Sequence, residues 1–201
     1  FPPRSGTMEY ALDFEVGPAS VPGGTGILLL HPSTVETDRV DTSFLKEDTD
    51  HLLVISTRTT AREVQQKLEF YDVQVASATI LDTLSVERGY TRRQRDGVRY
   101  LASPDDLEGM VEETRRFLES HDGKCRVSLD SITEMIYYAD VEGVETALAE
   151  MLELLAEFDA VGLFHMAAEV HDEPTVDRFA SMFDGVVELT EGGTLSAEFE
   201  R

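Results

Sequence analysis

The chain has 201 residues, of which 40 are acidic and 17 basic, so its formal net charge is -23. The length suffices for one α/β domain with a buried sheet, and the acidic field disfavours polyanionic partners. The single cysteine, Cys125, excludes an intrachain disulfide, and no apolar run approaches the roughly 18 residues that a membrane span requires.

The distribution of the acidic residues indicates a folded protein adapted to salt. They are spread along the whole chain between apolar runs, rather than collected in a disordered tail. A dispersed acidic surface with few lysines is typical of a halophilic cytoplasm, where high salt screens the repulsion between carboxylates. The alternative is an ordinary acidic protein in low salt. We expect a cytoplasmic protein in which residues 8–201 form one domain and residues 1–7 are a non-native remnant.

Strands and helices alternate along the chain. After a turn at 21–24, unbroken apolar runs occupy 27–30, 52–55, 79–81, 127–129, 161–164 and 186–189. Helical periodicity occurs between them at 60–71, 105–121, 141–158 and 174–183. Residues 186–189, a Gly-Gly turn and 195–199 indicate a terminal hairpin. The sequence therefore predicts a three-layer α/β fold with a mostly parallel central sheet, right-handed crossovers and a C-terminal antiparallel hairpin.

The loop after the first apolar run has the length and location of a phosphate-binding loop of the form Gly-x-x-x-x-Gly-Lys-Ser/Thr. In that register His31 and Glu36 stand at the two glycines. Thr37 stands at the lysine, and Asp38 stands at the hydroxyl that holds magnesium. Carboxylates facing a triphosphate cost about 1–4 kcal/mol for each close like-charge pair. The alternative is an ordinary strand-to-helix loop whose acidic residues favour the helix dipole.

Three further segments favour the interpretation of this loop as an altered phosphate-binding loop. Residues 126–135 form an apolar strand that ends in Asp130, followed by Ser131 and a helix start, and they resemble the second nucleotide motif of RecA/KaiC-type ATPases. Residues 98–107 resemble the segment before that motif in archaeal KaiC-like proteins, and residues 183–189 resemble their penultimate strand. The resemblance covers about residues 22–200. It implies a RecA/KaiC-like fold with a degenerate phosphate-binding loop.

This family also carries acidic residues just after its second strand, which activate the attacking water. Here residues 56–62 contain no carboxylate before Glu63, and a neutral or cationic group cannot serve as that base. Asp130 remains, either as a metal ligand or, in the interpretation we favour, in a structural role such as capping the next helix. The degenerate positions are His31, Pro32, Ser33, Thr34, Glu36, Thr37, Asp38, Asp130 and Ser131.

A second candidate site is rich in arginine. Five arginines fall within twelve residues, with one tyrosine among them: Arg88, Tyr90, Arg92, Arg93, Arg95 and Arg99. We place them on and beside a loop at 86–97. Arginine beside an aromatic ring suits an anion, a nucleic acid or a partner protein. The alternative, which we favour, is a set of salt bridges to nearby carboxylates or across a subunit interface.

The histidines give a weaker pattern. His165 at a strand end, with Glu169, His171, Asp172 and Glu173 beyond it, can be drawn as a metal site, but the spacing matches no closed zinc pattern. A strand-end histidine facing the former nucleotide crevice is the better interpretation. We therefore expect no metal.

Three functions remain open. The favoured one is a non-hydrolysing KaiC/RecA-like module that acts as a regulator or scaffold through contacts with another protein or with itself, as a monomer or dimer. The second is a nucleotide-binding protein with an altered phosphate loop. The third is a nucleic-acid-associated regulator that uses the Arg88–Arg99 segment. We expect no catalytic residue, no membrane contact and no cofactor, with ATP and magnesium bound only if the altered loop still holds them.

Overall fold

The computed structural model of the protein describes residues 7–90 and 97–200. The strands in this part of the chain are β1 (Glu9–Ala11), β2 (Ser20–Pro22), β3 (Gly26–His31), β4 (His51–Ser56), β5 (Ala78–Asp82), β6 (Val98–Tyr100), β7 (Cys125–Asp130), β8 (Val161–Ala167), β9 (Gly185–Leu189) and β10 (Leu195–Phe199). The helices are α1 (Asp38–Lys46), α2 (Ala61–Phe70), α3 (Leu107–Ser120), α4 (Ile132–Tyr138), α5 (Val141–Glu157) and α6 (Glu173–Ala180). Val75–Ser77 and Ala168–Val170 form short 3₁₀ turns.

Eight strands form one sheet in the order β10-β9-β3-β8-β7-β4-β5-β6. Every neighbouring pair is parallel except β9 and β10, which form the antiparallel hairpin at the C-terminus. The predicted three-layer fold and its terminal hairpin are confirmed. None of the helices that the structure describes is long and apolar enough to cross a membrane.

Two apolar cores cover the two faces of the sheet. Side chains of α3, α4, α5 and α6 pack against one face, where Leu28 and Phe164 are fully buried. Side chains of α1, α2 and β1 pack against the other, where Ile27 and Leu29 are fully buried. Since successive residues of a strand point to opposite faces, Leu28 and Leu29 serve different cores. This is why the central strands read as unbroken apolar runs.

The sequence prediction missed the shortest strands. The hairpin of β1 and β2 lies in the mixed segment before the first apolar run, and each of its strands has only three residues. Strand β6, Val98–Tyr100, pairs in parallel with β5. Arg99 therefore lies in a strand and not in a loop, which corrects its assignment to the arginine-rich loop.

The acidic residues lie almost entirely at the surface. Among the acidic residues that the structure describes, only Asp41 and Asp82 are buried. The remaining carboxylates repel one another across a water-exposed shell, and this repulsion opposes the compact state.

Added KCl should therefore stabilise the fold. Raising the ionic strength from about 0.1 M to 1 M shortens the screening length from about 10 Å to 3 Å, which weakens the repulsion between surface carboxylates. We expect the thermal midpoint of unfolding, followed by far-UV circular dichroism, to rise steadily over this range. A midpoint that is the same at both salt concentrations would contradict this expectation of salt adaptation.

Candidate functional site

The candidate site lies at the carboxyl ends of β3, β8, β7 and β4, the edge where open α/β sheets bind ligands. These strands are neighbours in the sheet, so residues far apart in sequence meet there. His31 ends β3, Asp130 ends β7, and His165 lies near the end of β8. Residues of α1, of α2 and of the loop after β4 complete the site.

Asp41 on α1 is the centre of a buried polar network. Its side chain is 1% exposed. Its Oδ1 accepts hydrogen bonds from Ser128 Oγ at 2.5 Å and from His165 Nε2 at 2.9 Å. Its Oδ2 accepts a hydrogen bond from Lys67 Nζ at 2.9 Å. One carboxylate therefore joins the helices α1 and α2 to the strands β7 and β8.

The charged groups in this network stabilise one another in their ionised forms. Burial opposes ionisation of Asp41, but Lys67 and then His165 outweigh it and keep the pKa of this carboxyl far below its usual range. Burial also disfavours the charged form of His165, yet Asp130 and Asp41 raise the pKa of its imidazole. Lys67 is likewise stabilised as a cation, because Asp41 more than offsets the effect of burial and raises its pKa. The network is thus a set of compensated charges inside the fold.

The carboxylate of Asp130 forms an ion pair with an arginine. Arg58, from the loop after β4, donates from its terminal nitrogen to Asp130 Oδ2 at 2.9 Å, and the Asp130 side chain is 13% exposed. Burial would raise the pKa of Asp130, but His165 and then Arg58 outweigh it and lower that pKa. Capping of the next helix, given above as one example of a structural role for Asp130, is performed by its neighbour. Ser131 is the N-cap residue of α4, and its Oγ accepts from the backbone N–H of Glu134 at 3.4 Å.

Two backbone N–H groups between β3 and the first turn of α1 are bound by carboxylates of the same chain. The N–H of Ser33 donates to Glu169 Oε1 at 2.6 Å, and the N–H of Asp38 donates to Glu36 Oε1 at 3.2 Å. Thr37 is the N-cap residue of α1, but its side chain makes no capping hydrogen bond. Pro32 is half-buried, and Thr34 is exposed. The start of α1 is therefore surrounded by acidic groups of the protein itself.

The surroundings of Asp38 at the start of α1 disfavour its ionised form. Burial raises the pKa of Asp38 to about 6, the neighbouring Glu36 contributes in the same direction, and Lys67 opposes them. Lys67 Nζ lies 4.0 Å from Asp38 Oδ1. A carboxyl with this pKa is partly protonated near neutral pH, because burial disfavours its charged form and Lys67 does not offset burial and the neighbouring acids together.

Three buried polar atoms at the middle of the edge have no hydrogen-bond partner in the described part of the chain. They are His31 Nε2, His165 Nδ1 and Asp130 Oδ1. The residues belong to three adjacent strands, and the ring centroids of His31 and His165 are 5.9 Å apart. His31 Nδ1 donates to the carbonyl oxygen of Pro32 at 2.9 Å. The centre of the site thus keeps polar capacity that the chain itself leaves unused.

The arginine-rich segment is only partly described. Arg92, Arg93 and Arg95 lie outside the described residues. Arg88 and Tyr90 are exposed, and Arg99 donates twice to the carboxylate of Glu113, from Nε at 3.2 Å and from a terminal nitrogen at 3.3 Å. For Arg99 the salt-bridge interpretation is therefore confirmed.

The residues drawn as a metal site have separate partners. His171 Nε2 lies 2.9 Å from Thr133 Oγ1, and Asp172 caps α6 by accepting from the N–H of Thr175 at 2.9 Å. Glu169 binds the N–H of Ser33, as described above. Within residues 7–90 and 97–200, no group of three or more His, Cys, Asp or Glu side chains is arranged to hold a metal ion.

Sequence reasoning missed the central residues of this site, Asp41, Lys67 and Ser128, and did not pair Arg58 with Asp130. A local signal for Asp41 exists, since it lies between the buried Val40 and Phe44 on the packed face of α1. A carboxylate at a core position of a helix requires a buried partner. The identity of that partner depends on which helices and strands meet, and periodicity does not reveal this.

Comparison with known proteins establishes the fold and leaves the activity open. A family model described as "Family of unknown function (DUF7090)" matches residues 8–199. No curated protein matches the sequence.

Two solved structures share the fold. One is a KaiC-like protein of the hyperthermophilic archaeon Pyrococcus horikoshii OT3, with a TM-score of 0.60 and 12% identity over 86% of this chain and 75% of that chain. The other is a prototypical ATPase from the type III secretion system of pathogenic bacteria, with a TM-score of 0.57 and 14% identity over 86% of this chain. This chain spans only 53% of the secretion ATPase. At these identities the likeness shows a RecA/KaiC-like fold.

Replacing Asp41 tests the network. Asp41→Asn leaves Lys67 and His165 without their common counter-charge, and breaking a buried pair in this way costs about 3–5 kcal/mol of unfolding free energy. The contribution of Asp41 is present above the unfolded pKa of about 4, and that of His165 is present below its unfolded pKa of about 6.5. The difference between wild type and Asp41→Asn in urea unfolding should therefore be largest between about pH 4 and 6.5. It should fall as pH rises through the raised pKa of His165, without vanishing, because Lys67 stays charged.

Ser128→Ala is the matched control for this experiment. It removes one hydrogen bond to the same carboxylate and leaves all charges in place, so we expect a loss of about 1 kcal/mol that does not vary across that pH range. If Asp41→Asn gave a loss as small and as independent of pH, the network would not be a set of compensated charges.

Proposed function

The chain belongs to DUF7090, a family of unknown function, so its role has to be inferred from the site. We propose that it is a non-hydrolysing RecA/KaiC-like domain that acts as a regulator or scaffold through protein–protein contacts. The observation that carries this proposal is the ion pair between Arg58 and Asp130. Fold alone would not carry it, since one fold hosts many functions.

The ion pair opposes metal binding. In the ATPases that this sequence resembles, the aspartate at the end of this strand is placed to hold the metal of the nucleotide. In this protein a guanidinium nitrogen lies 2.9 Å from Asp130 Oδ2 and already compensates the carboxylate. A magnesium ion about 4 Å from that guanidinium would meet a repulsion of about 4 kcal/mol for each of its charges at a near-surface dielectric. Asp130 is therefore a poor ligand while Arg58 is present.

The loop before α1 also disfavours the binding of a nucleotide. Phosphates bind such loops through free backbone N–H groups and the positive end of the helix dipole. The N–H groups of Ser33 and Asp38 are already bound by Glu169 and Glu36. An entering triphosphate would have to displace these carboxylates and would then lie beside them. Phosphoryl transfer depends almost wholly on positioning and electrostatics, so these changes are sufficient to prevent it.

Exposed aromatic side chains support a role in protein contacts. Tyr137 and Tyr138 are the last two residues of α4, the helix that begins just after Asp130 and Ser131. The side chain of Tyr137 is 79% exposed. Their rings form an edge-to-face pair with centroids 5.2 Å apart. Exposed tyrosines are enriched at protein interfaces because they bury a large apolar area and keep a polar hydroxyl. A surface of this kind beside an inactive site suits a domain that is recognised by another protein.

The test is ATP turnover by the full chain in KCl at a concentration that keeps it folded. We expect phosphate release with Mg-ATP to equal that of a protein-free blank. We also expect ATP with magnesium and ATP with excess EDTA to give the same melting temperature. A magnesium-dependent nucleotide site, saturated at 100 times its Kd, would add about 2.7 kcal/mol, which is a shift of several degrees for a chain of this size.

Two variants make the assay decisive. Arg58→Gln removes the guanidinium from Asp130, and Asp130→Asn removes the carboxylate while keeping its shape. Turnover in the wild type that disappears in Asp130→Asn would overturn the proposal. Light scattering on the same samples should give a monomer or dimer, and a stable hexamer would count against a role as a separate regulatory module.

A further inference from the structure

A second cavity lies away from the site described above. It has a volume of about 560 Å³ and is formed between the start of α2, the loop after β5, and β6. Strand β4 separates β5 and β6 from the β3, β8 and β7 edge that carries His31, His165 and Asp130. Pockets for small molecules span about 300–1,000 Å³, so the cavity has the size of a ligand site.

The carboxylates of this cavity are already satisfied by the chain. Asp82 is fully buried, and its Oδ1 accepts from the N–H groups of Leu84 and Ser85 at 2.8 and 2.9 Å. Its Oδ2 accepts from the N–H of Ala61 at 2.8 Å and from Ser85 Oγ at 2.5 Å. The other carboxylate, Glu63 Oε1, closes the capping box of α2 on Thr60, at 3.0 Å from its hydroxyl. Both acids thus form part of a fixed wall and make no ion pair with an arginine of the cavity, although the donors that bind them are neutral and leave their negative charge in place.

The cations of the cavity are Arg62 on α2 and Arg88 in the loop after β5. Within the described residues neither guanidinium forms an ion pair, whereas five other described arginines each hold a carboxylate: Arg58, Arg99, Arg115, Arg116 and Arg178. In a chain with a net charge of -23, it is unexpected that two arginines line one cavity and form no ion pair with a described carboxylate. Guanidinium groups bind phosphate oxygens with charge-assisted hydrogen bonds, often in pairs.

Two tyrosines complete the lining. Tyr90 is 66% exposed, and Tyr100 on β6 is half-buried. Phenol rings beside guanidinium groups stack on planar rings, and such stacking tolerates different bases. The cavity therefore offers two guanidinium groups without an ion pair among the described residues, and an aromatic surface, in one place.

We propose that this cavity binds a nucleoside monophosphate, with its phosphate on Arg62 and Arg88 and its base against Tyr90 or Tyr100. The proposal is independent of the function proposed above, because it concerns the β5 and β6 end of the carboxyl edge of the sheet and needs neither magnesium nor Asp130. A ligand here would sit against the start of α2, the helix that carries Lys67 of the Asp41 network.

Isothermal titration calorimetry on the full chain tests the site, with AMP, GMP, CMP and UMP as nucleotide probes, and adenosine and inorganic phosphate as their halves. The measurements are made in KCl with EDTA, so that no magnesium-dependent site contributes. We expect the monophosphates to bind at least about tenfold more tightly than either half, since only they use both surfaces. Equal affinity for AMP and inorganic phosphate would contradict a nucleotide site.

Variants locate the binding. Arg62→Gln and Arg88→Gln should each weaken AMP binding about tenfold or more, because each removes a charged hydrogen-bond partner of the phosphate. Arg39→Gln is the matched control, since Arg39 is also exposed and forms no ion pair among the described residues, but lies on α1. Tyr90→Ala should weaken AMP binding and leave binding of inorganic phosphate unchanged. All four substitutions are at exposed positions and should leave the far-UV circular dichroism spectrum intact.

The outcomes separate this proposal from the previous one. AMP binding that is lost in Arg62→Gln and kept in Arg58→Gln supports the cavity and leaves the non-hydrolysing assignment untouched. Binding that is lost in Asp130→Asn and kept in Arg62→Gln would place the nucleotide at the first site and overturn the cavity proposal. Tighter binding of a single-stranded oligonucleotide than of any monophosphate would replace the small ligand by a nucleic acid, and would also overturn it.

Discussion

The arrangement of the site depends on the carboxylate of Asp41. It receives hydrogen bonds from Ser128, His165 and Lys67, which belong to two central strands and to the second helix. A buried charge of this kind is tolerated only when its partners have good geometry, and removing any charged partner leaves the others uncompensated. The first two helices are therefore fixed relative to the sheet by electrostatics as well as by their apolar contacts. The positions of the loop before α1 and of Lys67 follow from this.

The positive charges at the sheet edge come from the protein itself. Arg58 compensates Asp130, Lys67 compensates Asp41, and the acidic groups Glu169 and Glu36 occupy loop N–H groups. A working phosphate site has the opposite arrangement, in which empty donors and a mobile metal wait for a charged ligand. Among the buried side-chain polar atoms at this edge, three in the described residues lack a hydrogen-bond partner, and they belong to His31, His165 and Asp130. At this edge the charged groups of the chain therefore compensate one another.

The sequence was sufficient to predict the sheet and only part of the site. Buried parallel strands read as unbroken apolar runs, so the six longer strands and the terminal hairpin were predictable, whereas the three-residue strands β1, β2 and β6 carry too few residues to form a pattern. The absence of a carboxylate from residues 56–62, at the end of β4 and just after it, was visible in the sequence. That Arg58 reaches Asp130 follows from the pairing of Ser56 with Asp130 in neighbouring strands. Strand order is decided by the packing of the whole sheet, so no local pattern contains it.

The compensation of charge by Arg58 and Lys67 also bears on how this protein could change over evolutionary time. Under the proposed function, a lysine introduced at residue 37 would bring a further cation towards a carboxylate that Lys67 already neutralises. A glycine at residue 36 would free one loop amide but leave Arg58 on Asp130. Neither substitution by itself changes both the Arg58–Asp130 pair and the carboxylates on the loop N–H groups, and contacting residues do not contribute additively. Under the proposed function, a nucleotide site at this edge would therefore require several simultaneous substitutions, because no single one alters both the ion pair and the loop.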